Sequence, residues 1–491
     1  MKQNIFLIGV LFACMPTFAL SGCGKNTLPE EGYKPQSIQA NKTSIVLKVG
    51  EQELLTAMPE PTPANMPKLQ WWSSNTEVVT VANGLVEAVA VGETSVNVAC
   101  QDVRTAITVK VVADDLPNPP DPSGKVVLYE SLVSSPAQEI TLNGMGTHTA
   151  DGLLITGKGN TVQLDKFYAL AERMVQYKVT FSADARAVFK SSQGDFNAYV
   201  DVPNKRISIA TNPVTELRVD FLQGDREYTV EIYHVYQQAK VRIVDEQTGE
   251  EAEIAAVHDG AGGVGAGVVN PNGLSVGMQY DHYCLGLTSG ASLLVKQITV
   301  YALKGKVKLL IYGDSITQPE GYFPTADFPL SWTQRIIGRL NGNAMSSGRG
   351  GGTIATVLEY IKNELPFIDA HYVMVTIGTN GGNTDANLSE LVEYIQSQGA
   401  VPILNNIPSN ESGTQVTVNG MIERVRSKYR LNGCRFDLAT SLNGDGQQVD
   451  QSTMYWENYT NGWGNVYHHP NENGGEKMFE RTLLDLPELY E

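Results

Sequence analysis

The apolar residues of this chain keep one rhythm up to Gly305 and another after it, and that change limits what the chain can fold into. From Ile38 to Val112, and again from Lys125 to Leu303, short runs such as "SIVLKVG", "TSVNVAC", "MVQYKVTFSA" and "AKVRIVD" alternate apolar and polar side chains between turn residues. A period of two gives a strand one buried face and one wet face, so each stretch predicts antiparallel sheets packed as a sandwich. Beyond Gly305, the apolar runs "VKLLIY", "YVMVTI" and "VPILNN" alternate with helix-period segments such as "SWTQRIIGRL", "TIATVLEYI" and "VNGMIERVRSKYR". Strands buried on both faces and separated by helices predict a parallel sheet between helical layers.

With 491 residues the chain is too long for one core. Its composition places the boundaries. Residues 1–22 read as a signal peptide, with Lys2 ahead of the apolar stretch "IFLIGVLFACMPTFAL". Its ending, Leu20-Ser21-Gly22-Cys23, resembles the lipobox of bacterial lipoproteins, which implies cleavage before Cys23 and acylation there. The expected product is a cell-envelope lipoprotein of the outer membrane, periplasmic or surface-exposed, tethered to the membrane by its N-terminal lipid through polar residues 23–37. Residues 38–112 form the first sandwich and "ADDLPNPPDPSG", 113–124, a proline-stiffened linker. Residues 125–304 form a larger sandwich, jelly-roll or lectin-like in pattern, and 305–491 the α/β domain. The segment containing "LQWWSSNTEVVTVA" and "NGLVEAVAVGETSVNV" also resembles a group 2 bacterial immunoglobulin-like domain. One of Trp71 and Trp72 is expected in its core.

The net charge of -17 argues against nucleic acid or an anionic membrane surface as a partner. Cys100, Cys284 and Cys434 lie far apart, so neither a disulfide framework nor a metal-ligand spacing is visible.

In parallel α/β sheets ligands bind beyond the carboxyl ends of the strands. There the sequence has Gly313-Asp314-Ser315, the glycine-rich "SSGRGGGT" from Ser346 to Thr353, and Gly378-Thr379-Asn380; near the chain end stands "VYHHPNENGGEKMF". Each alone reads as a turn, a cap or a loop. In this order, from about Val307 to Glu491, they resemble the SGNH or GDSL-type hydrolase family of esterases and lipases. The Gly-x-Ser-x-Gly elbow of the α/β-hydrolases does not occur around Ser315.

That resemblance implies a serine esterase. Ser315 is the nucleophile and His469, ahead of Pro470, the general base, with His468 as the alternative. The Ser315 N–H, the Gly351 N–H and the Asn380 side chain form the oxyanion hole. Gly348, Gly350 and Gly352 remain open as the glycine donor. The family usually has Asp three residues before its histidine, where this chain has Val466. Asp450, Glu457 and Asn465 are candidate substitutes, and a Ser-His dyad is the other solution. Asp314 is expected to bond backbone groups of its turn, and His371 and Asp437 to be structural. Tyr455, Trp456, Tyr459 and Trp463 crowd the loop before His469.

The expected substrate is an acyl ester, by preference an acetyl group on a polysaccharide, with no metal and no cofactor. A glycan-binding lipoprotein with an inactive hydrolase domain, and a lipid esterase or thioesterase, are the competing expectations.

Overall fold

A computed structural model describes residues 33–61, 67–112, 124–134, 140–144, 146–191, 196–211, 214–257, 283–318, 328–455 and 467–491. The signal segment, Cys23, residues 113–123 of the linker, and Glu457, Asn465 and Val466 lie outside the described residues. The chain divides into two units, Met1–Pro117 and Asn118–Glu491.

In the first unit a four-stranded sheet takes the order Ser44–Lys48, Val103–Val112, Gly92–Cys100, Gln70–Ser73. Gln52–Leu54, Leu85–Ala88 and Val79–Ala82 make a three-stranded sheet. Alternation explains the core: Val96, Val98 and Cys100 point inward with Ile107, Val109 and Val111, against Val79 and Val86 of the other sheet. Of the tryptophan pair, Trp71 packs on this core and Trp72 is 39% exposed. No described helix is long and apolar enough to cross a membrane.

The second unit begins with the larger sandwich. Among the described residues, one sheet has eight strands and the other seven, with every pairing antiparallel. Its long central strands, Glu172–Phe181 and Ser292–Ala302, run side by side. His148 and His234 sit within strands, and the His148 ring bonds the Val133 carbonyl (3.0 Å).

The α/β region follows. Strands β1 (Lys306–Gly313), β2 (Ala344–Gly348), β3 (Asp369–Thr376) and β4 (Val401–Leu404) form a parallel sheet in the order 2-1-3-4. Helices α1 (Trp332–Arg339), α2 (Ile354–Glu364), α3 (Asp385–Ser397) and α4 (Gln415–Tyr429) connect and flank the strands. Short helices α5 (Phe436–Ala439) and α6 (Gln451–Met454) precede the last long helix, α7 (Glu472–Asp485). Because β1 lies between β2 and β3, successive connections leave it in opposite directions. A crevice therefore opens at its carboxyl end, where ligands of such sheets bind.

The sandwich and the α/β region keep separate sheets, yet their buried apolar residues form one continuous core. The seam is the segment 165–171, "DKFYALA", which is irregular although Phe167 to Ala171 are buried. Buried backbone without a ladder must find hydrogen bonds elsewhere, and the α/β region supplies them. Glu364, at the end of α2, accepts from Ala169 N (2.5 Å) and Leu170 N (3.2 Å), and its other oxygen accepts from Ser347 Oγ (2.7 Å). Asn363 Nδ2 donates to the Phe167 carbonyl (3.0 Å), and Ala171 N donates to the Ser346 carbonyl on edge strand β2 (2.9 Å). Burial pushes the Glu364 carboxyl up to about 7 against the pull of the Ser347 and Ala169 donors.

Candidate active site

Ser315 sits in the turn that leaves β1, and local collisions make its sequence narrow. A side chain at Gly313 would strike Thr317 and the Thr376 carbonyl, and one at Gly348 would come within 2.5 Å of the Thr317 backbone. Glycine at both positions lets the turn settle between β1 and β2. Asp314 is fully buried, and its Oδ1 accepts from Ile316 N (3.0 Å). Burial raises its carboxyl to about 7, against the lowering effect of that N–H. Trp332, at the first position of α1, donates its indole N–H to the Ile316 carbonyl (2.8 Å) and fixes the turn from the far side.

His469 arrives from the other end of the region. Pro470 restricts the backbone after it, and Asn471 caps α7 by accepting from Gly474 N (3.0 Å) while its amide donates to the Ser452 carbonyl (3.1 Å). A side chain at Gly474 would strike the Thr453 carbonyl, and one at Gly475 would stand 2.7 Å from the Leu330 carbonyl. The "NGG" stretch therefore lets the start of α7 press against α1 and α6. This brings His469 Nε2 to 2.7 Å from Ser315 Oγ, with both side chains buried.

Burial, reinforced by the charge of neighbouring His468, holds the His469 imidazole well below the ordinary histidine value. A neutral imidazole is the form that accepts a proton. His468 instead turns to Glu411, with Nδ1 2.8 Å from its carboxylate.

The glycine loop closes the site. Arg349 N donates to the Gly313 carbonyl (3.0 Å), Gly350 N to Gln318 Oε1 (2.6 Å), and Gly352 N to the Arg349 carbonyl (3.0 Å). Gly351 stands at φ 74° with no atom in the way of a side chain, so its glycine serves the backbone conformation. Among the described residues, the N–H groups of Ser315 and Gly351 donate to no protein acceptor. Asn380 is exposed, and its Nδ2 donates to the Gly352 carbonyl (3.0 Å). That nitrogen carries two protons, so one ties the loop and the other remains for a ligand. Thr353 then opens α2 with a capping box, placing the positive end of the helix beside the loop.

The other sequence candidates lie elsewhere. Asp450 caps α6, accepting from the N–H (2.9 Å) and hydroxyl (2.7 Å) of Ser452, with Lys477 3.4 Å away. Asp437 lies in α5 and is gripped by the Arg435 guanidinium (3.0 and 2.9 Å). His371 is on β3 near its start, edge-on to Tyr372. Tyr455 stacks on Tyr467 with ring centroids 5.0 Å apart; Trp456, Tyr459 and Trp463 fall outside the described residues. Trp332, Gln318, Gly474 and Gly475 also shape the site, and no sequence motif above includes them in that role. A tryptophan at a helix start and a glycine pair inside a helical stretch were the available signals.

Comparison with known proteins adds a family for one part of the chain. Residues 35–111 match the bacterial Ig-like domain (group 2) family model. No curated protein matches the chain. Solved structures similar to it include a GDSL-like lipase from Bacteroides thetaiotaomicron, at 13% identity over 38% of this chain and 88% of that one, with a TM-score of 0.29. An acetylxylan esterase from Geobacillus stearothermophilus has 14% identity over 37% and 93%, TM-score 0.28. Arcelin-5, a lectin-like defense protein from Phaseolus vulgaris, has 10% identity over 35% and 96%, TM-score 0.27. Likeness at this level says nothing about chemistry, which rests on the site itself.

Proposed function

We propose that the α/β region is an SGNH-type serine esterase that removes acyl groups, by preference acetyl, from polysaccharides. The observation that carries this is the 2.7 Å approach of His469 Nε2 to Ser315 Oγ at the mouth of the parallel sheet. Among the described residues, the N–H groups of Ser315, in the same turn, and of Gly351, in the glycine loop, donate to no protein acceptor, which supports the same reading.

The chemistry follows from the groups present. Ser315 Oγ attacks the acyl carbonyl carbon as its proton passes to His469 Nε2. The carbonyl oxygen becomes an oxyanion that the Ser315 N–H, the Gly351 N–H and the second Asn380 N–H can meet. Collapse breaks the ester C–O bond, and His469 returns the proton to the leaving alcohol. Water, deprotonated by His469, then attacks acyl-Ser315. The tetrahedral adduct expels Ser315, which regains the proton, and the carboxylic acid leaves.

The depressed His469 pKa fixes the sign of the pH dependence. A base that titrates below the ordinary value stays neutral, and competent, in more acid solution. The acid limb of kcat/KM is therefore expected below about pH 6.5. A limb midpoint above pH 7 would contradict the environment described for His469.

The polysaccharide step rests on context: an Ig-like module and a broad β-sandwich accompany the hydrolase, and Cys23 acylation would anchor the whole at the cell envelope. Acetate release from acetylated plant and host glycans, compared with long-chain aryl ester hydrolysis, tests it. Acetate release with little long-chain activity is expected; preference for long chains would make the protein a lipid esterase.

A further inference from the structure

Among the described residues, the sandwich meets the glycine loop through the side chain of Arg349. Gly348-Arg349-Gly350-Gly351-Gly352 contains four glycines. A chain of glycines has the widest conformational freedom of any sequence, and an oxyanion donor works only where it is held in place. Arg349 is the only residue of the five with a side chain, so packing can grip the loop only there. That side chain is 6% exposed, and its guanidinium lies over the ring of Phe167 in the sandwich, 5.3 Å from the centroid. Phe167 is itself fixed: its ring packs on Tyr360 of α2 (4.8 Å between centroids) and its carbonyl accepts from Asn363. Two steps before the loop, Ala171 holds the Ser346 carbonyl, and Glu364 joins the Ser347 hydroxyl to the same sandwich segment.

We propose that the sandwich is a working part of the active site and that Phe167 is a positioning residue, holding Arg349 and through it the Gly351 N–H. This rests on the esterase reading above. Cation–π contacts of this kind are strongest when shielded from water, as this one is. Misplacing a catalytic group by about 1 Å can cost on the order of a hundredfold in rate. Loosening the loop while leaving it intact should therefore lower kcat by about ten- to a hundredfold without changing KM.

The test uses the full chain and 4-nitrophenyl acetate, with kcat, KM and thermal midpoint measured for each variant. Phe167→Leu keeps bulk but removes the aromatic face; Phe167→Tyr keeps the face and is expected to recover most of the activity. Tyr199→Leu breaks a comparable pair within the sandwich, where Arg186 lies 4.3 Å from the Tyr199 centroid, and is expected to leave kcat unchanged. Arg349→Leu attacks the contact from the loop side and serves if Phe167→Leu does not fold. The double variant should lose no more than Arg349→Leu alone, since both remove one interaction. The proposal is overturned if kcat stays within twofold of wild type in the single variants, or if the double loss is the product of two independent losses. A wild type with no Ser315-dependent turnover would overturn the esterase reading itself, a result distinct from either.

Discussion

Replacing His469 with alanine is expected to lower kcat for an aryl acetate by about 10⁴–10⁶-fold, while His468→Ala stays within about tenfold of wild type. The difference follows from position, since the two rings are adjacent, 4.4 Å between centroids. Only His469 reaches Ser315 Oγ, and it is buried; His468 spends its Nδ1 on Glu411. Without His469, none of the described residues stands at hydrogen-bond distance to take the serine proton, and the hydroxyl is a poor nucleophile at neutral pH. His468→Ala removes a neighbouring positive charge that helps depress the His469 pKa. Its main expected signature is therefore an acid limb moved toward higher pH. Steady-state kinetics across pH separates the two outcomes. If His468→Ala were the inactive variant and His469→Ala active, the base would have been assigned to the wrong residue.

Asn380→Ala is expected to lower kcat by about 10²–10³-fold. Its amide does two jobs, tying the Gly352 carbonyl at 3.0 Å and leaving a second N–H for the oxyanion. Removing it subtracts a donor and frees one end of a loop that is nearly all glycine. Asn380→Asp puts acceptors where donors are required and adds a negative charge beside the developing oxyanion, so it should be at least as damaging as alanine. KM should move little, because the oxyanion exists only in the transition state and the intermediate. A loss confined to KM would mean that Asn380 binds substrate rather than stabilising the intermediate.

The motifs that carry Ser315, Asn380 and His469 each read alone as a turn, a cap or a loop, and only their order along the chain, which resembles the SGNH family, singles these three residues out. Period alone separated the sandwiches from the parallel sheet, since burial on one face or two writes itself directly into residue order. Gly351 could not be singled out from its neighbours by spacing. What distinguishes it is an N–H that donates to no acceptor among the described residues, a property of the folded loop. Other parts were hidden for a different reason. The Trp332 indole reaches a carbonyl sixteen residues earlier in the chain, and Glu364 reaches Ala169 across 195 residues. No local pattern encodes such pairings. The seam between sandwich and α/β region was likewise invisible, because "DKFYALA" has neither period; its buried backbone is satisfied by the domain that follows.

If Ser315 is the nucleophile, incubation with 4-nitrophenyl acetate leaves it acetylated. Intact-mass spectrometry of the quenched protein should find one added acetyl group, mapping to the peptide that carries Ser315, with nitrophenol released in step. Ser315→Ala should give neither the adduct nor turnover above buffer. Turnover by Ser315→Ala equal to wild type, or an acetyl group mapped to another residue, would show that Ser315 is not the nucleophile.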